Sequence, residues 1–195
     1  LKIFTSSPRR MHHLAKLLPS LLPWSPHCEY ENVRGNVPTR LRKLVQSSND
    51  GLIVAKAALD RLLSAPWIEY ENTKRELREL LKSFDWMVLP LSENPGAAAQ
   101  GALAIEINKD RDDLRQMFRA INVVDDFTDV AREREILKGY GGGCHQKIGV
   151  SVLRRDFGIL EIASGVSESG AMIDIFTVKN SARPFPRTTI DKIFP

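Results

Sequence analysis

Apolar and polar positions along the first half of the chain fall into short alternating blocks. Residues 1–4 form an apolar run that ends at Thr5-Ser6-Ser7-Pro8, a helix-start signature with proline near the first turn. The pattern predicts a strand over 1–4 and a helix over 11–18. Residues 19–26 hold Pro19, Pro23 and Pro26 and read as a loop. An extended stretch over 28–33 leads into the turn Arg34-Gly35-Asn36. Pro38 sits where a first-turn proline is tolerated, and residues 39–45 have helical spacing. Asp50-Gly51 is a turn before a buried strand at 52–55, and 57–63 is a short helix. This alternation of strand and helix predicts an α/β unit with a largely parallel sheet.

Further on, residues 72–84 read as an amphipathic helix and 87–89 as a short strand. Residues 95–101 form a Gly/Ala loop, and 102–107 read as a strand. Two helices are predicted at 110–121 and 125–137. Asp125, Asp126 and Asp129 suit a helix start, where carboxylates complement the dipole. A glycine-rich stretch at 139–143 precedes three strand-like runs, 147–153, 159–163 and 172–178. The second half thus reads as a separate α+β unit beginning near Asn108. Residues 181–195, with three prolines, read as linker or terminus.

Composition narrows the classes. The chain has 195 residues, 43 % hydrophobic and 27 % charged, which suits a folded globular protein rather than a disordered one. Its formal net charge is only +4, but Arg9, Arg10, Arg34, Arg40, Arg42 and Lys43 crowd the first quarter. Such a field attracts anions: nucleic acid, phosphates or polycarboxylates. No nucleic-acid motif accompanies the cluster. The two cysteines, Cys28 and Cys144, form neither a disulfide framework nor a zinc pattern. With no secretory signal and no long apolar run, the expectation is a cytoplasmic protein without a membrane span. The chain opens at Leu1 and enters a strand at once, so an N-terminal part is expected to precede it.

Three constellations carry candidate chemistry. Thr5-Ser6-Ser7-Pro8-Arg9-Arg10 places hydroxyls and guanidiniums where helix amides are free, a cradle for carboxylate or phosphate; the alternative is simple N-capping beside solvated arginines. Arg34-Gly35-Asn36 joins a cation to a turn glycine that lets the backbone approach a ligand, with Arg40 in the helix that follows. Arg42 and Lys43 read as a solvated face. Gly141-Gly142-Gly143-Cys144-His145 offers an accessible thiol, a nucleophile or attachment point if its surroundings lower its pKa, or else an incidental loop cysteine. Cys28 reads as structural, His12-His13 as surface or cap rather than metal ligands, and Trp24, Trp67 and Trp86 as packing residues.

These segments occur in the order found in the porphobilinogen deaminase family. Thr5–Arg10 resembles its TSSLRR segment, and Arg34–Leu44 its RGNxxTRLxKL segment. Residues 52–62 resemble its AGLxRL segment, with Arg61 at the arginine. Gln100–Glu106 is similar to GQGALxIE, and Gly142–Gly149 to the GGCxxPIG loop. Together they span most of residues 1–178. Pro8, Ala99 and Lys147 depart from the family's leucine, glycine and proline, and the tail after Val178 is unlike the family's usual end.

The resemblance implies an enzyme that joins four porphobilinogen units into hydroxymethylbilane with release of ammonia, a transferase of haem and tetrapyrrole biosynthesis. It implies a dipyrromethane cofactor bound covalently at Cys144 and held by Ser6, Ser7, Arg9, Arg10, Arg34 and Gly35. Arg40 and Arg61 are the implied substrate-binding residues, and no metal is expected. The implied fold is α/β: a type II periplasmic-binding-protein-like domain at 1–85, a crossover strand segment at 86–108 toward a first domain, and a smaller α+β cofactor-carrying domain at 109–180. The expected partners are porphobilinogen and the growing polypyrrole, not nucleic acid or membrane, with a monomer at full length. The family's catalytic Asp precedes its TSSLRR segment, so the chain alone is expected to be inactive. The alternative is a non-catalytic anion-binding relative.

Overall fold

A computed structural model describes residues 1–24, 27–141 and 146–180. The chain divides into two compact units, Leu1–Asn94 and Pro95–Pro195.

In the first unit, β1 (Lys2–Phe4) is the middle strand of a parallel sheet, flanked by β2 (Glu29–Glu31) and β3 (Gly51–Leu52). The apolar side chains of β1 set this arrangement. Ile3 packs with Leu14 and Leu18 of α1 (Pro8–Leu21) on one face. Phe4 packs with Val33 and with Leu44 of α2 (Val37–Val45) on the other. Alternate residues of one strand thus feed two layers of helix, as strand geometry requires. The expected parallel sheet is present, though its outer strands are shorter than the sequence suggested.

Helix α1 outruns its predicted end. Pro19 lies inside the helix, which continues to Leu21. A proline costs one backbone bond and a clash, about 3 kcal/mol in a helix interior. Here it falls in the last turn, where Leu17 and Leu18 are buried and Leu22 joins the Ile3 cluster. Helices α3 (Lys56–Ser64) and α4 (Glu71–Leu81) complete the unit, with a 3-10 turn at Ile68–Tyr70 between them.

Two predicted strands do not form. Residues 87–89 and 102–107 carry no strand. Leu89 packs against the Ile3 cluster, but Met87 and Val88 are exposed, and Leu103 is 93 % exposed. Both segments are apolar, 102–107 in alternation, but among the described residues neither has a neighbouring strand to pair with. Trp24, Trp67 and Trp86 are likewise exposed rather than packed, because aliphatic side chains and Phe4 fill the buried clusters of this unit.

The second unit holds α5 (Asp112–Arg119), α6 (Val124–Lys138) and an antiparallel sheet in the order β4 (Gly149–Arg155), β5 (Gly158–Val166), β6 (Met172–Asn180). Ile136, Leu137 and Tyr140 cover Val150, Ala163 and Ile173 on one sheet face. Asp125 and Asp126 lie in the first turn of α6, as expected. Asp129 does more: its carboxylate accepts from Nε of Arg154 at 2.9 Å, pinning the helix to β4. The expectation for the tail at 181–195 lies outside the described residues.

Candidate functional site

The first site is built where β1 ends. Thr5 is buried, and its backbone N–H donates to Glu31 at 2.9 Å, the last rung between β1 and β2. Ser6 then turns its hydroxyl to Val33, donating to the carbonyl at 2.9 Å and accepting from the amide at 3.0 Å. Ser7 is the N-cap of α1, with its hydroxyl accepting from the Arg10 amide at 3.4 Å. The predicted hydroxyl-rich junction therefore exists, and Ser6 ties it to the residue just before Arg34.

Arg9 lies in the first turn of α1 and is 6 % exposed; its Nη1 donates to Asn94 Oδ1 at 3.4 Å. Burial and then neighbouring Arg10 lower its pKa to about 10. Arg10 donates from Nη1 to the Ile53 carbonyl at 3.3 Å, and its pKa is lowered by burial and then by Arg40. The structure thus gathers Arg9, Arg10 and Arg40 into one cationic group. Among the described residues no carboxylate forms an ion pair with Arg10, Arg34 or Arg40. Like charges held together at a helix N-terminus favour an anionic occupant with several carboxylates.

Gly35 shapes the neighbouring turn. Its φ is +121°, and a Cβ there would sit 2.7 Å from Thr39 Cγ2. Asn36 caps α2 by accepting from the Thr39 amide at 2.9 Å, and Arg40 folds back so that Nε donates to the Gly35 carbonyl at 2.7 Å. Lys43, read from sequence as merely solvated, donates from Nζ to the Arg34 carbonyl at 3.0 Å and so braces the turn. Arg42 is exposed as expected and pairs with Glu76 at 2.6 Å. Arg61 is exposed in the last turn of α3, and among the described residues no hydrogen bond joins it to this group. Cys144 lies outside the described residues.

Other candidates resolve individually. Cys28 packs beside the Ile3 cluster, in keeping with a structural role. Asp50 accepts the Lys2 amide at 2.8 Å and serves the strand. His13, expected at the surface, is instead buried with Nε2 unpartnered, and its pKa falls to about 4 through burial first, then Arg9, His12 and Lys16. Among the described residues no cluster of His, Cys, Asp and Glu suits a metal, and no helix is long and apolar enough to cross a membrane. Sequence reasoning missed Asn94 and the Ile53 carbonyl as supports of the arginines, because neither is near them in sequence.

The fold and this junction define a mixed helix-and-sheet protein with a compact, arginine-rich strand-to-helix site. A family model described as "Porphobilinogen deaminase, dipyromethane cofactor binding domain" matches residues 1–116. The chain belongs to the porphobilinogen deaminase family. It is 32 % identical over 172 residues to the porphobilinogen deaminase of Lawsonia intracellularis, covering 87 % of this chain and 48 % of that protein. It is 33 % identical over 150 residues to that of Clostridium novyi, covering 76 % and 42 %. It is 37 % identical over 148 residues to that of Nitratidesulfovibrio vulgaris strain DP4, covering 75 % and 39 %. The chain therefore spans less than half the length of these relatives.

Proposed function

We propose that this chain is the arginine-bearing and cofactor-bearing portion of a porphobilinogen deaminase, a transferase that joins four porphobilinogen units into hydroxymethylbilane and releases ammonia. The observation that carries the reading is the arginine group itself: buried Arg9 and half-buried Arg10 at the capped start of α1, with half-buried Arg40 of α2 acting on Arg10. Dipyrromethane fits this donor set, because every pyrrole ring brings two carboxylates and each needs a fixed cation. When bound, it supplies the free pyrrole carbon from which the chain grows. Ser6, Ser7, Arg9, Arg10, Arg34 and Gly35 hold its acid side chains in this reading, Cys144 attaches it, and Arg40 and Arg61 receive those of arriving substrate.

In the same reading residues 1–85 are the family's second domain, like a type II periplasmic binding protein; the parallel order β2-β1-β3 under helices supports this. Residues 86–108 cross toward a first domain, and 109–180 are the cofactor-carrying α+β domain, supported by the antiparallel β4-β5-β6 sheet beneath α6. At full length the protein works in the cytoplasm as a monomer. The chain alone is inactive, because arginines bind carboxylates but do not stabilise a cationic pyrrole nitrogen; a carboxylate in hydrogen-bond reach does that.

Mass spectrometry of the intact protein tests the reading. A two-pyrrole adduct is expected on the peptide containing Cys144, lost in Cys144→Ser and kept in Cys28→Ser. An unmodified Cys144 in active protein overturns the attachment. Hydroxymethylbilane produced by the isolated chain would show that the catalytic acid lies within these residues.

A further inference from the structure

Among the described residues no strand pairs with the outer edge of β4. Its outward amides are taken instead by two different groups. The Val150 amide donates to the Gly96 carbonyl at 2.8 Å, and the Val152 amide donates to Glu133 Oε1 at 2.9 Å. Glu133 stands on α6, and its second oxygen, Oε2, accepts from the Ala99 amide at 2.7 Å. One carboxylate therefore binds a sheet edge and a loop at once.

That loop is strained. Ala99 has φ +65°, and it is the one described non-glycine residue with positive φ. The left-handed conformation costs an L-residue about 1–2 kcal/mol and persists where surroundings hold it. The rest of the segment lies close against β4. The Gly96 amide donates to Ser151 Oγ at 3.1 Å, Pro95 is fully buried, and a Cβ on Gly149 would stand 2.5 Å from the Pro95 carbonyl oxygen. Beyond it, residues 101–106 are exposed.

We propose that Glu133 is a latch that fastens residues 95–101 to the edge of β4 by holding Ala99 in its left-handed conformation. Residues 95–101 are thereby attached at a fixed place within the second unit. The attachment has a functional location. In sequence α6 leads into the glycine-rich stretch bearing Cys144 and β4 follows it, so Glu133 secures the segment to both elements that flank that stretch. This functional meaning, though not the latch, rests on the cofactor role proposed above. Glu133 is a positioning residue: it acts through Ala99 and Val152.

Hydrogen exchange on the intact protein, with Glu133→Gln, tests the latch. An amide side chain keeps one acceptor oxygen and loses the other, so one of the two amides it held, Ala99 or Val152, is expected to exchange roughly tenfold faster. Exchange at Ile162 and Ala163 of β5 stays unchanged. Adding Ala99→Gly recovers the stability that Glu133→Gln loses, because glycine adopts the left-handed conformation unaided. Unchanged exchange at both Ala99 and Val152, or equal acceleration across β5, overturns the proposal. If Glu133→Gln alone fails to fold, the double variant decides: folding supports the latch, and failure sinks it. The wild-type adduct on Cys144 is a separate readout, so an unloaded cysteine removes the functional reading without touching the exchange result.

Discussion

Arg132 grips Glu161 with both edges of its guanidinium: Nε donates to Oε1 at 2.8 Å and Nη2 to Oε2 at 3.0 Å. Glu161 lies on β5, buried, and also accepts from Lys179 Nζ of β6 at 2.6 Å. One carboxylate thus joins α6 to two strands. Hydrogen bonding by Arg132 chiefly, opposed by burial and assisted by Lys179, lowers its pKa to about 2. A depressed carboxyl contributes stability above its unfolded pKa of about 4.3 and loses it as pH falls toward the folded value. Glu161→Gln should therefore flatten the stability profile between about pH 4.5 and 2. Arg132→Met should cost roughly 1–3 kcal/mol, between exposed and buried pairs, since the arginine is partly solvated. Urea titrations at stepped pH measure both; a profile unchanged by Glu161→Gln contradicts the assignment.

His13 titrates in a second window. Its native pKa of about 4 lies below the ordinary imidazole value near 6.5, so the unfolded chain binds the proton first. Stability from neutral His13 is complete above about pH 6.5 and declines as pH falls toward 4. His13→Gln should remove that decline. A variant that keeps the full slope between pH 6.5 and 4 assigns it to another group.

Gly35→Ala should destabilise the protein by roughly 1–3 kcal/mol, since it combines a left-handed φ with a 2.7 Å approach to Thr39. Arg40 leans on the Gly35 carbonyl, so carboxylate binding should weaken as well. Thermal denaturation and calorimetric titration with a pyrrole dicarboxylate report the two effects separately. Full stability in the alanine variant would mean the turn relaxes freely.

Arg10→Lys should weaken binding of the same dicarboxylate by about tenfold, because an ammonium cannot reproduce a planar fork. The Ile53 carbonyl that orients Arg10 is still available to lysine, so folding should survive. Equal affinity for wild type and variant would remove Arg10 from the site.

What sequence conveyed was local. The start of α1 at a Ser-Ser-Pro junction, the turn at Gly35 and the acidic start of α6 follow from side-chain capping and φ preferences that act within a few residues. The meeting of Arg9, Arg10 and Arg40 was suggested by composition and family resemblance rather than by spacing. Legibility failed where distant contacts decide. The persistence of α1 through Pro19 depends on Leu18 and Leu22 finding Ile3. Among the described residues, 102–107 find no neighbouring strand to pair with, whatever their own pattern. The pairing of Ala99 with Glu133, 34 residues apart, has no periodic signature at all.

The two hydrogen bonds between Ser6 and Val33 have one more consequence. A serine hydroxyl can give and receive, so here a single oxygen does what a whole peptide group does in a sheet ladder: it satisfies both the amide and the carbonyl of its neighbour. The main chain at Ser6 is released from that duty and can bend into α1 while Val33, beyond β2, keeps both its backbone groups bonded. The seam between sheet and helix is stitched by a side chain, and any residue that cannot both donate and accept there would let the Arg34 turn come loose from the helix start.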